Sequence, residues 1–451
     1  MVVCPLDFRY GREEMKAILS EESRLRAQLK VEGALALAHA KVGDIPLKDA
    51  KAIAKVCRSK LVTLERVKRI EADTKHDVMA MVQAITEKSG PAGRYVHLGA
   101  TSNDIVDTAM ALEIKRAMAL IDKDLAQFTL TLASLAERHK NTIMVARTHG
   151  QFAIPTTFGF KIAGYVAEML RFQERLKEVR KRVCVGKMSG AVGTGAALGR
   201  NFLKVQNEVM KQLGLGVEEV ATQIVCRDRY AELACLLALI ASACERYATE
   251  VRNLQRSEIN EVAEGFDREK QVGSSTMAQK RNPMLSENVC GLARIARGFA
   301  IPAIEDMNLW HERDLTNSSA ERFILPHLFV LTDDILVKMD EVFSGLEVHE
   351  GKMRENIESA NGLIMAEAVM IAMVGKGLGR QDAHAIVRKA SLKAEMEGAH
   401  LLDVLLADKK VAKLFTRAEL EEVMDPASYL GKAPEMTMRA VRRARSSLKT
   451  K

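Results

Sequence analysis

The sequence predicts an all-α protein built on a bundle of long helices, and three observations carry that expectation. Apolar residues recur at three- and four-residue spacing through stretches free of Gly and Pro, as in VDTAMALEIKRAMALIDKDLAQFTLTLASLAERHK within residues 104–149. Aromatic residues are only 4% of the 451 and prolines number 9, while Ala and Met are plentiful. That composition suits helix packing better than sheets. No stretch shows a convincing strand–turn–strand pattern, a repeat of fixed period or a low-complexity tract.

Taken in order, residues 1–104 read as a smaller N-terminal helical domain. Residues 105–350 read as the central domain that supplies the rods. One rod lies within 104–149; another runs from Arg229 to Glu264, 36 residues without Gly or Pro. If continuous, that second stretch would extend about 54 Å at 1.5 Å per residue. Further helical patterns cover 160–183, 284–300 and 323–343. Residues 351–451, with ANGLIMAEAVMIAMVGKGLGRQDAH near their start, read as a third helical domain.

Several function classes lose support at once. The N-terminal MVVCPLDFRYGREEMKAIL has no continuous apolar core and acquires charge by Asp7, unlike a secretion signal. The longest apolar run, ACLLALIASAC at 234–244, is too short to span a bilayer and is flanked by Glu232 and Glu245. Seven scattered cysteines without a CxxC pair suggest neither zinc nor a disulfide framework. These features lead us to expect a cytoplasmic, reduced protein with no membrane partner. The net charge of +8 comes from basic residues interleaved with acidic ones, and aromatics are few. A small anionic substrate therefore fits better than nucleic acid.

Four irregular stretches interrupt the helical pattern. They are EADTKHDVMAM with His76, RYVHLGATSNDIVDTAM with His97, Thr101, Ser102 and Asn103, ARTHGQFAIPTTFG with His149, and VGSSTMAQKRNP with Ser274 and Lys280. Each has a plain structural explanation when taken alone. Ser102 or Asn103 could cap a helix beginning near Ile105, His76 could be a satisfied interior histidine, and Gly150 and Pro155 could end one helix and start another. Together they place proton-transfer and hydrogen-bonding groups beside helix termini, where backbone N–H groups favour anions. No HExxH, Walker A, GxSxG or GxGxxG motif is present, and GKGLG at 375–379 lacks the preceding strand of a phosphate loop.

GSSTMAQKRNP resembles the signature loop of the fumarase/aspartase superfamily, usually GSSxMPxKxNP. Within that superfamily, FRYG at 8–11, TKHDVMA at 74–80, ATSNDIVDTA at 100–109 and ARTHGQ at 146–151 resemble the adenylosuccinate lyase family. So do TQIVCRDRYAE at 222–232 and ERDLTNSSAERFILP at 312–326. The blocks follow family order from residue 8 to 326. Two positions depart from the pattern: Ala278 stands where the signature has proline, and Phe152 where many relatives have histidine.

The resemblance implies a β-elimination that releases fumarate from a succinylated purine nucleotide. It carries over Ser274 as the base, Lys280 as the cation beside it, Asn282 as an orienting hydrogen-bonder and Glu287 as a group that orients a histidine or the lysine. His149 becomes the general acid, with imidazole able to hold a donatable proton near neutral pH, and His76 its assistant. Lys75 and Asp77 flank His76 in the same substrate-binding block. Arg9, Tyr10, Arg313, Ser318 and Arg322 become ligands of the phosphate and its surroundings, where arginine forks suit phosphate oxygens. Thr101 and Ser102 suit the succinyl carboxylate, and Gln223 the same region. The chemistry needs no metal or organic cofactor. The family's arrangement is a homotetramer whose sites are shared, with His149 and the Ser274 loop drawn from different chains. Argininosuccinate lyase, a lactonising cycloisomerase of the superfamily, or a catalytically silent structural relative are the alternatives. The Arg9–Tyr10 pair and the Ser318–Arg322 block weigh against the first, and the joint presence of Ser274, His149 and Lys280 against the last.

Overall fold

The computed structural model describes residues 3–267 and 269–448. Helix dominates it, as the spacing of apolar residues requires. Four rods stand out: Ser102–Arg138 with 37 residues, Phe158–Val183 with 26, Asp228–Leu254 with 27 and Thr316–Ser344 with 29. The first alone extends about 55 Å. No single described helix is long and apolar enough to cross a membrane.

Two sequence expectations are corrected. Beyond Arg138 the chain forms a β-hairpin, Ile143–Thr148 paired antiparallel with Gln151–Thr157. Its two-residue turn is His149–Gly150, with φ of 54° and 75°. Left-handed conformation at both central residues matches the right-handed twist of paired strands. β-Branched Ile143, Val145 and Thr148 on one side, and Ile154, Thr156 and Thr157 on the other, favour the extended backbone. Gly150 and Pro155 therefore belong to one hairpin and mark no helix boundaries. The second correction is that the rod beginning at Asp228 stops at Leu254 instead of running to 264. The amide of Glu261 returns to the carbonyl of Leu254 at 2.9 Å. Asn260 adopts φ of 47°, a left-handed conformation that Asn tolerates better than most residues. Val262–Ala263 then pairs with Glu347–Val348 in a short antiparallel bridge.

The chain divides into two compact units. The first comprises Met1–Leu125, Phe172–Cys244 and Gly291–Leu336. Its core gathers Leu29, Leu35, Ile53, Met81, Ile85 and Val209 from helices Glu21–Val42, Leu47–Arg58, Asp77–Ser89 and Phe202–Leu213. The second comprises Ala126–Arg171, Glu245–Cys290 and Val337–Lys451. Its core joins Val145 of the hairpin to Val369, Met373, Leu401, Leu405 and Leu420 of the C-terminal helices. Residues expected at the site occur in each unit.

Candidate active site

In the first unit, Lys75, His76, Asp77, Ser102, Arg313, Ser318 and Arg322 line one cleft of about 440 Å³. Local backbone rules explain how each arrives there. Lys75 takes a left-handed φ of 54° and ends helix Leu64–Thr74, so the chain turns at once into helix Asp77–Ser89. His76 is the N-cap of that second helix, its Nδ1 accepting the amide of Met79 at 3.3 Å. Hydrogen bonding at Nδ1 leaves Nε2 as the nitrogen that carries the proton in the neutral ring. His76 is half exposed in the cleft wall and is not an interior histidine. Arg322 stands 3.7 Å from Asp77.

Ser102 opens the 37-residue rod. The cap comes from neither Ser102 nor Asn103: Asp104 reaches back to accept the amide of Thr101 at 2.8 Å. The fully buried Asp104 also accepts the amides of Ser189 at 2.9 Å and Gly190 at 3.0 Å, and Lys187 Nζ at 2.5 Å. One carboxylate thus fixes the Thr101–Ser102 turn against the 187–190 loop. One turn along the rod, Asp107 accepts Arg227 Nη1 at 2.7 Å, Arg227 Nη2 at 3.0 Å and the amide of Val225 at 2.8 Å. Arg227 also donates to Glu321, from Nε at 2.6 Å and Nη2 at 3.1 Å, and to the carbonyl of Val225 at 2.8 Å. Burial opposes its charge, yet the two carboxylates outweigh that and hold the guanidinium firmly protonated. Gln223, in the same segment, accepts Arg313 Nη1 at 3.0 Å. Gln223 and Thr101 thus flank the cleft by bonding to or preceding residues that line it, while Arg9 and Tyr10 follow the short helix Pro5–Phe8 and are not among its lining.

The second unit holds the remaining expected residues. His149 is exposed at the hairpin tip. Two residues earlier, Arg147 donates to both oxygens of the buried Glu261 at 2.9 Å each, and Asn356 donates to the same carboxylate at 2.9 Å. Phe152 packs its ring 5.2 Å from the Arg147 guanidinium carbon. The residue that departs from the family pattern thereby covers its cross-strand partner within the hairpin.

Residues 272–283 are irregular, as expected for a loop. Ser274 is half-buried, and its Oγ accepts the amides of Met277 at 3.0 Å and Thr276 at 3.3 Å. Asn282 Nδ2 donates to the carbonyl of Gly273 at 3.0 Å, closing the loop on itself. A Cβ at Gly273 would stand 2.1 Å from the carbonyl oxygen of Lys280, so only glycine fits that crossing. Behind the loop, the Glu264 carboxylate accepts the amides of Leu285 at 3.2 Å and Ser286 at 2.6 Å, capping helix Met284–Gly298. Gln255 ties the segment down by accepting the Glu264 amide and donating to the carbonyl of Arg281. Lys280 is exposed on the loop, and Glu287 lies exposed in the helix's first turn.

The residues expected from the sequence do not include those that hold the cleft and the loop in place: Asp104, Lys187, Asp107, Arg227, Glu321, Glu261 and Glu264. Their partners are mostly dozens of residues away. Such pairing leaves no local pattern, so even Asp104, Asp107, Arg227 and Glu321, which lie inside the quoted blocks, look no different there from their neighbours.

Comparison with known proteins assigns the fold and the family together. Residues 8–298 match the family described as Lyase, and residues 362–440 match Adenylosuccinate lyase C-terminus. The chain is 50% identical over 441 residues to adenylosuccinate lyase of Pyrococcus horikoshii, covering 98% of each chain. It is 49% identical to that of Methanocaldococcus jannaschii, covering 97% of this chain and 95% of the relative. Among solved structures, a fumarate lyase from Mesorhizobium sp. superposes with a TM-score of 0.89 at 33% identity, covering 96% of this chain and 98% of that one. A 3-carboxy-cis,cis-muconate lactonizing enzyme from Pseudomonas putida gives 0.88, also at 33% identity, covering 98% and 99%. Backbone similarity alone spans several chemistries, whereas sequence identity and the C-terminal family separate them. The chain belongs to the adenylosuccinate lyase family.

Proposed function

We propose that this chain cleaves adenylosuccinate to AMP and fumarate. We also propose that it cleaves succinylaminoimidazole carboxamide ribotide to the free carboxamide ribotide and fumarate. Identity near 50% over almost the whole chain to adenylosuccinate lyases carries the reading. The gathering of Lys75, His76, Ser102, Arg313, Ser318 and Arg322 around one cleft supports it.

The difficult step is removing a proton from carbon beside a carboxylate, because the resulting aci-carboxylate carries two negative charges. Preorganised donors and a cation must meet that charge. Ser274 is the base in this reading. Two backbone N–H groups already point at its Oγ, from Thr276 and Met277, and such donors favour an alkoxide over the neutral hydroxyl. Lys280 supplies the cation, Asn282 holds the loop, and Glu287 orients Lys280 or a histidine. His149 protonates the departing nitrogen, because base and acid must be separate groups on opposite sides of the bond. His76 assists it. Arg313, Ser318 and Arg322, with Arg9 and Tyr10, take the phosphate; Thr101, Ser102 and Gln223 take the succinyl carboxylate; Lys75 and Asp77 complete the block around His76.

The complete site, in this reading, forms in a homotetramer, with His149 and the Ser274 loop contributed by different chains. The direct test is to add adenylosuccinate and follow ultraviolet absorbance as AMP and fumarate appear. Turnover without added metal or cofactor is the expected result. No absorbance change with properly assembled protein would reject the assignment.

A further inference from the structure

We infer that Arg227 is a positioning residue for the phosphate-binding side of the cleft. The inference rests on the proposed nucleotide-cleaving function. Arg227 is 4% exposed and bonds to three separate pieces of chain: Asp107 on the rod Ser102–Arg138, Glu321 on the rod Thr316–Ser344, and the carbonyl of Val225. Asp107 adds a second bond to the same strip by accepting the amide of Val225. Residue 225 is therefore gripped at both its N–H and its C=O.

Two residues earlier in that strip, Gln223 accepts Arg313, and its own amide donates to the carbonyl of Glu312 at 3.4 Å. On the other arm, Glu321 sits beside Arg322 and one helical turn beyond Ser318. Its Oε1 also accepts Asn317 Nδ2 at 2.9 Å. The expected phosphate ligands of this block are thus tied to Arg227 by short routes: Arg313 through Gln223, two residues along the strip from the Val225 carbonyl that Arg227 holds, and Ser318 and Arg322 as helix neighbours of Glu321.

Charge gives a second reason. Glu321 lines a cleft that must admit a multiply anionic nucleotide, and Asp107 lies fully buried behind it. Unpaired, they would repel it. Arg227 neutralises part of that charge and, by its fixed fork, sets the geometry as well. A lysine would keep the charge but could not span both carboxylates and the carbonyl in one plane.

The test uses full-length protein carrying Arg227→Lys or Arg227→Met. Calorimetry measures binding of AMP and of adenosine, which differ only in the phosphate. Arg227→Lys should raise the Kd for AMP at least tenfold while changing that for adenosine less than twofold. It should also raise KM for adenylosuccinate with kcat within about threefold of the parent. Arg227→Met should show the same selectivity to a greater degree, and if it fails to fold the lysine variant still decides. Equal weakening of AMP and adenosine would mean that Arg227 only supports the fold, and an unchanged AMP Kd would mean that it positions nothing; either result overturns the inference. Failure of the parent protein to cleave adenylosuccinate would defeat the functional reading itself. A parent that cleaves, paired with variants that bind AMP normally, would defeat only the role of Arg227.

Discussion

A serine hydroxyl is a weak acid, so at the scale of single residues the proposed chemistry depends on what surrounds Ser274 and on which other groups depart from their ordinary protonation. The cleft offers one such departure in Glu113, which is 5% exposed and pushed up to about 7 by burial, with Arg24 opposing that effect from 3.9 Å. A carboxyl whose folded pKa lies above its unfolded value stabilises the fold at low pH, below about 4.5, and loses that contribution as pH rises toward 7. Charged Glu113 therefore costs stability at pH 8, on the order of 3 kcal/mol at most for a shift of this size. Glu113→Gln should raise the melting temperature at pH 8 and flatten its decline between pH 5 and pH 8. Parallel melting curves for parent and variant across that range would show that Glu113 titrates normally. Glu113 was not legible in the sequence, because a Glu in a helical stripe looks the same whether water reaches it or not. Ser274, His149 and Lys280 stood out as candidates because they lie in short contiguous motifs whose residue order is itself the signal. Arg227 lay inside one of those motifs and was still passed over, since its two carboxylate partners are 120 and 94 residues away.

At the scale of elements, the rods were legible and the hairpin was not, for related reasons. Helical periodicity accumulates over many turns, so the rods around 102–138 and 323–343 declare themselves. The hairpin offers only six and seven residues per strand, and its register is interrupted by a bulge between Val145 and Arg147. Absence of Gly and Pro was also an insufficient guide at 255–264, where Asn260 supplies the left-handed turn. What seats the hairpin is the Arg147–Glu261 pair, with Glu261 fully buried and also held by Asn356. Removing Arg147 would strand that carboxylate, at a cost of roughly 3–5 kcal/mol. Arg147→Met should therefore lower both the melting temperature and kcat. Adding Glu261→Gln removes the stranded charge but does not rebuild the clamp on the strand next to His149. The double variant should recover much of the melting temperature while kcat stays low. Recovery of both together would mean that the pair contributes to stability alone and leaves the His149 tip correctly placed.

At the scale of the whole molecule, the cleft lies in the first unit, and His149 and the Ser274 loop lie in the second. The first unit also exposes a run of large apolar side chains between 295 and 323. Ile295 is 57% exposed, Ile301 63%, Trp310 76%, Leu315 69% and Phe323 61%. Such surface close to a binding cleft supports packing against further copies of the chain. The tetramer proposed above makes a sharp demand on mixed assemblies. If one site takes His149 from one chain and Ser274 from another, His149→Gln and Ser274→Ala inactivate different parts of it. Each variant alone should be nearly inactive. Unfolded together in equal amounts and reassembled, they should regain activity, because some sites receive both intact parts. With random mixing the chance is one half for each part, so about a quarter of the sites should work, by simple counting on a symmetric oligomer. Hybrid tetramers can be verified by tagging one variant and recovering the other with it. Activity near that fraction supports sites shared between chains. Verified hybrids without activity would mean that His149 and Ser274 act within the same chain.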